Sequence, residues 1–416
     1  MSSACFFFSI HEPFFLRRYN VFDLGQNSLY EDDEKNCDHI RRVASECYLP
    51  TIDTFLRQIE ATKGDFKISC LVSLPALDLF EQYAPEVVDG IKALADTKCV
   101  EFVAGAAHSL AFLYSKDEFS RQLQFYKSRI SKLCNQVPTC FCSTELIYNN
   151  DFASFLESEG CKVMLGEGTD HVLGWRSPNY VYRPVSSDKM RLLLRNRKMS
   201  RDLSFRFRDK TWDKWPLTAD TFAEWCREVG ERNDILNIFT NMNIFGIINR
   251  PETGIFEFLN SLPFEMLKRK ISFVTPTEAA EKFEARDTID IREFVSWDDA
   301  GGDLNSWLGN DMQKDAVHFL YSMADAVHEL NDSRYSREFA RLQSSDYLRW
   351  MSTKWFSNYL QNNSPFSNPQ DAYIIYMNIL ADFEIRLERA LEEKQNALAR
   401  ASQDTSSDRS SGKLVA

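Results

Sequence analysis

Residues 236–247 read LNIFTNMNIFGI, and the parsing of this stretch decides the fold. An apolar run of strand length breaks into Thr240, Asn241, Met242 and Asn243, then resumes with Ile244, Phe245 and Gly246. So uniformly apolar a run reads as a strand buried on both faces, the kind that a parallel sheet contains. Its last side chains, two of them amides, would then be delivered into a cleft.

The same pattern extends outward in both directions. Strand-like runs at 4–10, 67–74, 100–104, 139–143, 162–165, 235–240 and 272–275 alternate with helical periodicity at 38–62 (broken at Pro50), 76–96, 116–133, 151–159, 219–229 and 254–270. Apolar strands separated by helices of this length imply βα units. Seven such strands predict an α/β barrel, with an open sheet as the alternative, over residues 1–285. An insert at 166–215, rich in Arg and aromatics (WRSPNYVYRP, LSFRF), reads as short strands and turns. Beyond about 285 the strands stop, and 311–330, 336–359 and 372–400 are helical by periodicity and propensity. This predicts a helical domain over 286–400. The tail 401–416, ASQDTSSDRSSGKLVA, has no apolar face and is expected to be disordered.

Composition excludes several classes of function. With 49 Lys and Arg against 61 Asp and Glu, the net charge of -12 disfavours both nucleic acid and an anionic membrane surface. A neutral ligand such as a sugar suits it. The ten cysteines include no CxxC pair, and the opening MSSACFFFSIHEPFF has no basic segment or cleavage site before His11. No run approaches the roughly 20 apolar residues of a membrane span. A reduced, cytoplasmic protein is expected.

In a parallel α/β barrel the chemistry lies at the C-terminal ends of the strands. The candidates there are His11, Glu12 and Pro13 after the first strand, Gly105 and His108 after the third, Glu145 after the fourth, and Asn241 and Asn243 after a later one. The insert adds Glu167, Asp170, His171, Trp175 and Arg176. Blander roles compete: His11 as a strand cap, Glu145 as a helix cap, Trp175 as core. His11, Glu12 and His108 are also potential metal ligands. Without HxxxH or HExxH spacing or a Cys/His cluster, neither a metal nor another cofactor is expected.

Several segments in order resemble motifs of glycoside hydrolase family 57, in particular its cytoplasmic α-amylase-like branch: FFFSIHEPFFLRRY (6–19), EFVAGAAHSL (101–110), FCSTELIYNN (141–150), EGTDHVLGWRSPNYVYRP (167–184), SWLGNDMQ (306–313) and SSDYLRWMSTKWF (344–356). The resemblance spans the chain to about residue 395. It implies an incomplete (β/α)7 barrel with a C-terminal helical domain, acting on α-glucan or maltooligosaccharide. Glu145 falls on the catalytic nucleophile, and His11, His108, Asp170, Trp175, Asn243 and Asp346 are expected to meet substrate.

The opening stretch departs from the family. Its fourth motif ends a strand with an Asp, the acid/base, followed by x-Glu-x-Phe-Gly-x-His. Phe245, Gly246 and the following PETGIFEFL hold the register, so Asn241, Asn243 and Ile248 replace Asp, Glu and His. Glu12 likewise replaces a Gln, and Tyr347 a His. A retaining glycosidase needs two carboxyl groups, one to attack the anomeric carbon and one to protonate the leaving oxygen. An amide keeps the shape of the second and cannot transfer its proton. Two expectations follow: a retaining α-glucan hydrolase or glucanotransferase of weakened activity, with Asp170 or Asp346 as substitute acid, or a non-catalytic α-glucan-binding pseudoenzyme. A metal-dependent deacetylase, drawing on His318 and His328, is a third idea.

Overall fold

The computed structural model describes residues 2–26, 28–298, 302–354 and 364–411. Its strands are β1 (Ser3–Ile10), β2 (Ile68–Val72), β3 (Val100–Phe102), β4 (Cys140–Cys142), β5 (Val163–Glu167), β6 (Val181–Pro184), β7 (Arg191–Arg195), β8 (Ile235–Asn241), β9 (Ser272–Phe273) and β10 (Thr288–Ile289). One sheet runs β3-β2-β1-β8, all parallel, with β9 added at the start of β1. The other runs β10-β6-β7-β5-β4, with β4, β5 and β7 parallel.

The two sheets curve into a barrel that strand pairing does not close. On one side Ala104, just past β3, joins β4 by two backbone hydrogen bonds, to Cys140 O at 2.7 Å and from Cys142 N at 2.9 Å. On the other, β7 and β8 meet through one backbone bond, Asn196 N to Asn237 O at 2.8 Å. Side chains complete that seam: Asn237 Nδ2 donates to Leu194 O, and Arg195 Nε to Phe239 O. Arg195 also pairs with Glu167 Oε2 at 3.0 Å, and both side chains are buried.

The seven strands around the barrel are β1, β2, β3, β4, β5, β7 and β8, which corrects the sequence expectation in one place. The run at 272–275 forms only the two-residue β9, paired to β1. The seventh barrel strand is instead β7, RLLLR, which lies within the insert 166–215, where short strands and turns outside the barrel are expected from sequence. Its three leucines are buried, while its charged ends disguise the run.

Register sets the site. Because Ile10 pairs with Val72 and Ser9 with Asn241, the ends of β1, β2 and β8 stand level at one mouth. The chain beyond Asn241 then turns tightly at Gly246, where φ is +97° and an added Cβ would lie 1.9 Å from Glu46 O. Only glycine permits that approach. Thus the second half of the opening stretch is a turn packed on residues 44–48, not a resumed strand.

The C-terminal region is helical, as expected, and packs across the barrel rather than beside it. Residues 286–298 still lie along the second sheet, where Val295 bridges Tyr148. Helices Asp311–Ser322, Ala324–Leu330, Ser333–Leu342 and Ser345–Trp350 follow. Residues 355–359 of the expected helix 336–359 lie outside the described residues. The last helix, Pro369–Ser411, is tied down by buried Asp382, which accepts from Tyr30 Oη and Gly25 N, each at 2.6 Å. It continues through residue 411, into the segment expected to be disordered; residues 412–416 lie outside the described residues. Among the described residues no helix is long and apolar enough to cross a membrane. The ten cysteines are all free.

Candidate active site

At the mouth of the barrel lies a cavity of about 460 Å³, lined in part by His11, His108, Glu145, Asn241, Asn243 and Asp346. Six of the eight residues expected to act or bind there are brought together. Asp170 and Trp175 are not. Asp170 is exposed at the start of the short helix Asp170–Leu173, and Trp175 is 92% exposed on the far side of Gly174. Arg176 causes this, since it donates to Leu173 O, Val172 O and Thr288 O and fastens the turn to β10, leaving Trp175 outside. Aromatic rings do line the cavity, among them Phe15, Trp297 and Trp350, but Trp175 is not one of them. Glu167, aimed at the cleft by sequence reasoning, belongs to the buried pair with Arg195. Tyr347 is core, its hydroxyl donating to Phe14 O at 3.2 Å.

Glu145 follows β4 with φ of 56°, in the left-handed region that non-glycine residues seldom occupy. The surroundings hold it there: Trp297 N donates to Glu145 O at 3.0 Å, and Thr144 Oγ1 to Ser109 O at 3.2 Å. The result is a buried carboxylate aimed into the cavity. Its Oε2 accepts from the Trp297 indole, and its Oε1 stands 3.2 Å from Arg349 Nη1. Both partners come from beyond residue 285, so the C-terminal region completes the site.

Across the cavity His11 and His108 stack, with ring centroids 3.4 Å apart and planes within 14°. His11 Nε2 is 2.8 Å from Asp346 Oδ2, and its Nδ1 is 2.7 Å from Ser73 Oγ. His108 also has a positive φ, 56°, and its carbonyl accepts from Ser345 N. Its Nε2 is buried without a hydrogen-bond partner, 3.8 Å from Glu145 Oε1 and 3.9 Å from Asp346 Oδ2. Burial and then the adjacent His11 push the His108 imidazole toward its neutral form, against the pull of the two carboxylates. For Asp346, burial opposes ionisation, but the His11 and His108 rings and Ser344 outweigh it and hold the carboxyl well below its usual range.

Glu12 makes a second anionic centre. Burial again opposes its charge, yet His39 Nε2 and Tyr48 Oη, each 2.6 Å away, keep its carboxyl below the usual range. Sequence reasoning missed His39, which sits on the helix Asp33–Val43 with no motif around it. Asn241 is the last residue of β8 and is half-buried. Asn243 Oδ1 is buried without a hydrogen-bond partner, and Ile248 lines the same wall. His318 and His328 are separate from the site and from each other: one lies against Tyr114, the other pairs with Glu118.

This arrangement offers one positioned carboxylate, Glu145, and, at the end of β8 in the same cavity wall, an amide, Asn241. Comparisons with known proteins show the family. The sequence pattern described as Glycosyl hydrolase family 57 matches residues 5–292. A Methanocaldococcus jannaschii protein named "Putative alpha-amylase" is 35% identical over 409 residues, covering 94% of this chain and 86% of that protein. Among solved structures, the branching enzyme of Thermococcus kodakaraensis has a similar fold at 15% identity, with a TM-score of 0.67 over 93% of this chain and 90% of that one. The 4-alpha-glucanotransferase of Thermococcus litoralis gives 0.65 at 13% identity over 83% of this chain, which spans only 56% of that protein. The chain is a member of glycosyl hydrolase family 57.

Proposed function

We propose that the protein is a retaining, α-amylase-like hydrolase or glucanotransferase of α-glucans whose acid/base step is crippled. The observation that carries this is the pairing of an intact Glu145 with Asn241 at one cavity. The Glu145 side chain is buried, in contact with Arg349 and oriented by Trp297, as a nucleophile must be. It attacks the anomeric carbon, and the bond to the leaving oxygen breaks as the new C–O bond forms. With an ordinary sugar leaving group that oxygen needs a proton, and Asn241 has none to transfer. Neither substitute considered from sequence supplies it. Asp170 is outside the cavity, and Asp346 is held ionised by its histidines.

α-Glucan as the ligand class rests on the family membership and on the relatives named for amylase, branching and glucanotransferase activities. The cavity suits a neutral sugar, mixing rings for stacking (Phe15, Trp297, Trp350) with polar groups for hydroxyls. The test is calorimetric titration with maltoheptaose beside an assay of reducing ends and transfer products. Binding with slow or no turnover is expected. No binding to any α-linked glucan would remove the substrate class.

A second reading, a non-catalytic α-glucan-binding protein of the cytoplasm, draws on the concerted change of Asn241, Asn243 and Ile248. It differs from the first in one respect: Glu145 would no longer react even with a donor that needs no acid.

A further inference from the structure

Arginines flank the cavity wall formed by Asn243 and Ile248, although the chain as a whole is acidic. Residues 197–215 hold seven Lys and Arg against three Asp, in a chain of net charge -12. Arg208, from this segment, lines the cavity and donates to Ile248 O at 2.9 Å. Arg42, in the last turn of the helix Asp33–Val43, lines it as well. Both border one turn: Ile248 N donates to Asn243 O at 2.9 Å, and Gly246 packs against Glu46 O, one helical turn beyond Arg42. We propose, resting on the α-glucan reading of the cavity, that this wall binds a phosphate monoester carried by the glucan.

Arg208 lacks a countercharge. Among the described residues its guanidinium makes that single hydrogen bond and pairs with no carboxylate. The carboxylates of the cavity are engaged elsewhere: Glu12 by His39 and Tyr48, Asp346 by His11, and Glu145 by Arg349. Arg42 has only Glu46, 3.6 Å away, and both of those side chains are about half exposed, so water screens the pair. The sequence has also removed the acid that would neutralise this wall. Where the family motif carries a Glu, Asn243 stands, and its Oδ1 is buried without a hydrogen-bond partner. That exchange subtracts a negative charge beside Arg208, and an anion on the ligand would restore it.

The donors suit phosphate. A guanidinium presents its N–H groups as a planar fork that meets phosphate oxygens two at a time, and Arg208 has only one nitrogen engaged. The surplus of cations along 197–215 adds a positive potential that a cleft concentrates, so an anionic sugar is drawn to this wall and a neutral one is not. Held there, the ester leaves the rest of the glucan to run along the cavity that Glu145 also lines. Sequence reasoning could not find this wall, because Arg208 lies in the insert and follows no barrel strand.

The experiment uses the full chain and a maltodextrin bearing 6-phosphate esters, with the same dextrin after phosphatase treatment as its neutral partner. Calorimetry at low salt should show the ester form binding about ten- to a hundred-fold tighter, the worth of hydrogen bonds to a charged group. Raising the salt should narrow that gap, since Arg208 is exposed. Arg208→Gln removes the cation and Asn243→Glu neutralises it from within, so each should close the gap; Arg208→Lys should keep part of it. Inorganic phosphate and glucose 6-phosphate, run beside the dextrins, should bind more weakly than the ester dextrin. Equal affinity for the two dextrins, or a gap that survives in both folded variants, would overturn the proposal and leave the α-glucan reading standing. Phosphate alone binding as tightly as the ester dextrin would overturn it too, since the wall would then read the anion without the sugar. Silence from both dextrins would remove the α-glucan reading and this one with it. Because the two dextrins are compared on the wild type, a variant that fails to fold leaves the test intact.

Discussion

Substituting Glu167→Gln tests how the unpaired side of the barrel is held. β7 and β8 share one backbone hydrogen bond, and the Arg195 guanidinium spans the gap, donating to Phe239 O at 2.8 Å and to Glu167 Oε2 at 3.0 Å. Side-chain exposures of 4% for Arg195 and 0% for Glu167 mean that solvent cannot take over when the carboxylate is lost. Removing one partner of such a pair costs about 3–5 kcal/mol, chiefly because the remaining charge stays buried. A domain is typically stable by only ~5–15 kcal/mol, so the loss is large. Replacing both residues with Met should recover most of it, since an apolar pair of similar volume leaves no orphaned charge. Equilibrium urea unfolding of the two variants measures both effects. The Arg195 guanidinium also lies 5.3 Å from the Trp297 ring, so the single variant should perturb tryptophan fluorescence at the site. If Glu167→Gln costs less than about 1 kcal/mol, set against that 3–5 kcal/mol range, the seam is held by something else and the reasoning fails.

Two further outcomes are expected. Asn241→Asp restores a proton donor facing Glu145, so turnover of maltoheptaose should rise by about 10²–10⁴, and further when Asn243→Glu and Ile248→His are added; no gain in either folded variant would mean that the lesion is wider than the missing acid. Burial pushes the Glu101 carboxyl above its ordinary 4.5, despite bonds from Thr277. A folded value above the unfolded one favours the native state at low pH, and that contribution is lost as pH rises from about 4.5 through the raised value. The stability of wild type minus that of Glu101→Gln, from denaturation at a series of pH values, should therefore fall across that window; a difference that rises there would refute the assignment.

Sequence reasoning reached the barrel strands whose apolar runs are unbroken, and it reached the mouth because strand ends in a parallel sheet share a level. It put Glu145 and Asn241 at that mouth through their motifs, and both line the one cavity there. It left β7 out of the barrel because arginines cap a short leucine run, and no local pattern distinguishes that from a short strand of the insert. It aimed Trp175 and Asp170 at the cleft because the motif containing them is adjacent in sequence to β5. The hydrogen bonds of Arg176, which turn that segment outward, depend on β10, more than a hundred residues later. Arg349 and Trp297 went unnoticed because neither follows a barrel strand. Their roles appear only once the C-terminal helices pack across the mouth. His39 is similar: a lone histidine on an amphipathic helix gains meaning only from buried Glu12 beside it.

The central claim is that Glu145 remains a working nucleophile beside a lost acid, and a donor that needs no acid tests it directly. With an α-maltosyl fluoride, fluoride departs without a proton, so attack by Glu145 should proceed and hydrolysis of the adduct should stall. Intact-protein mass spectrometry should show one maltosyl unit per chain, mapped to Glu145 and absent in Glu145→Gln. Azide, which attacks without deprotonation, should discharge the adduct as a maltosyl azide of retained configuration. If folded wild-type protein gives neither adduct nor azide product, Glu145 is no longer a nucleophile and the catalytic account is wrong.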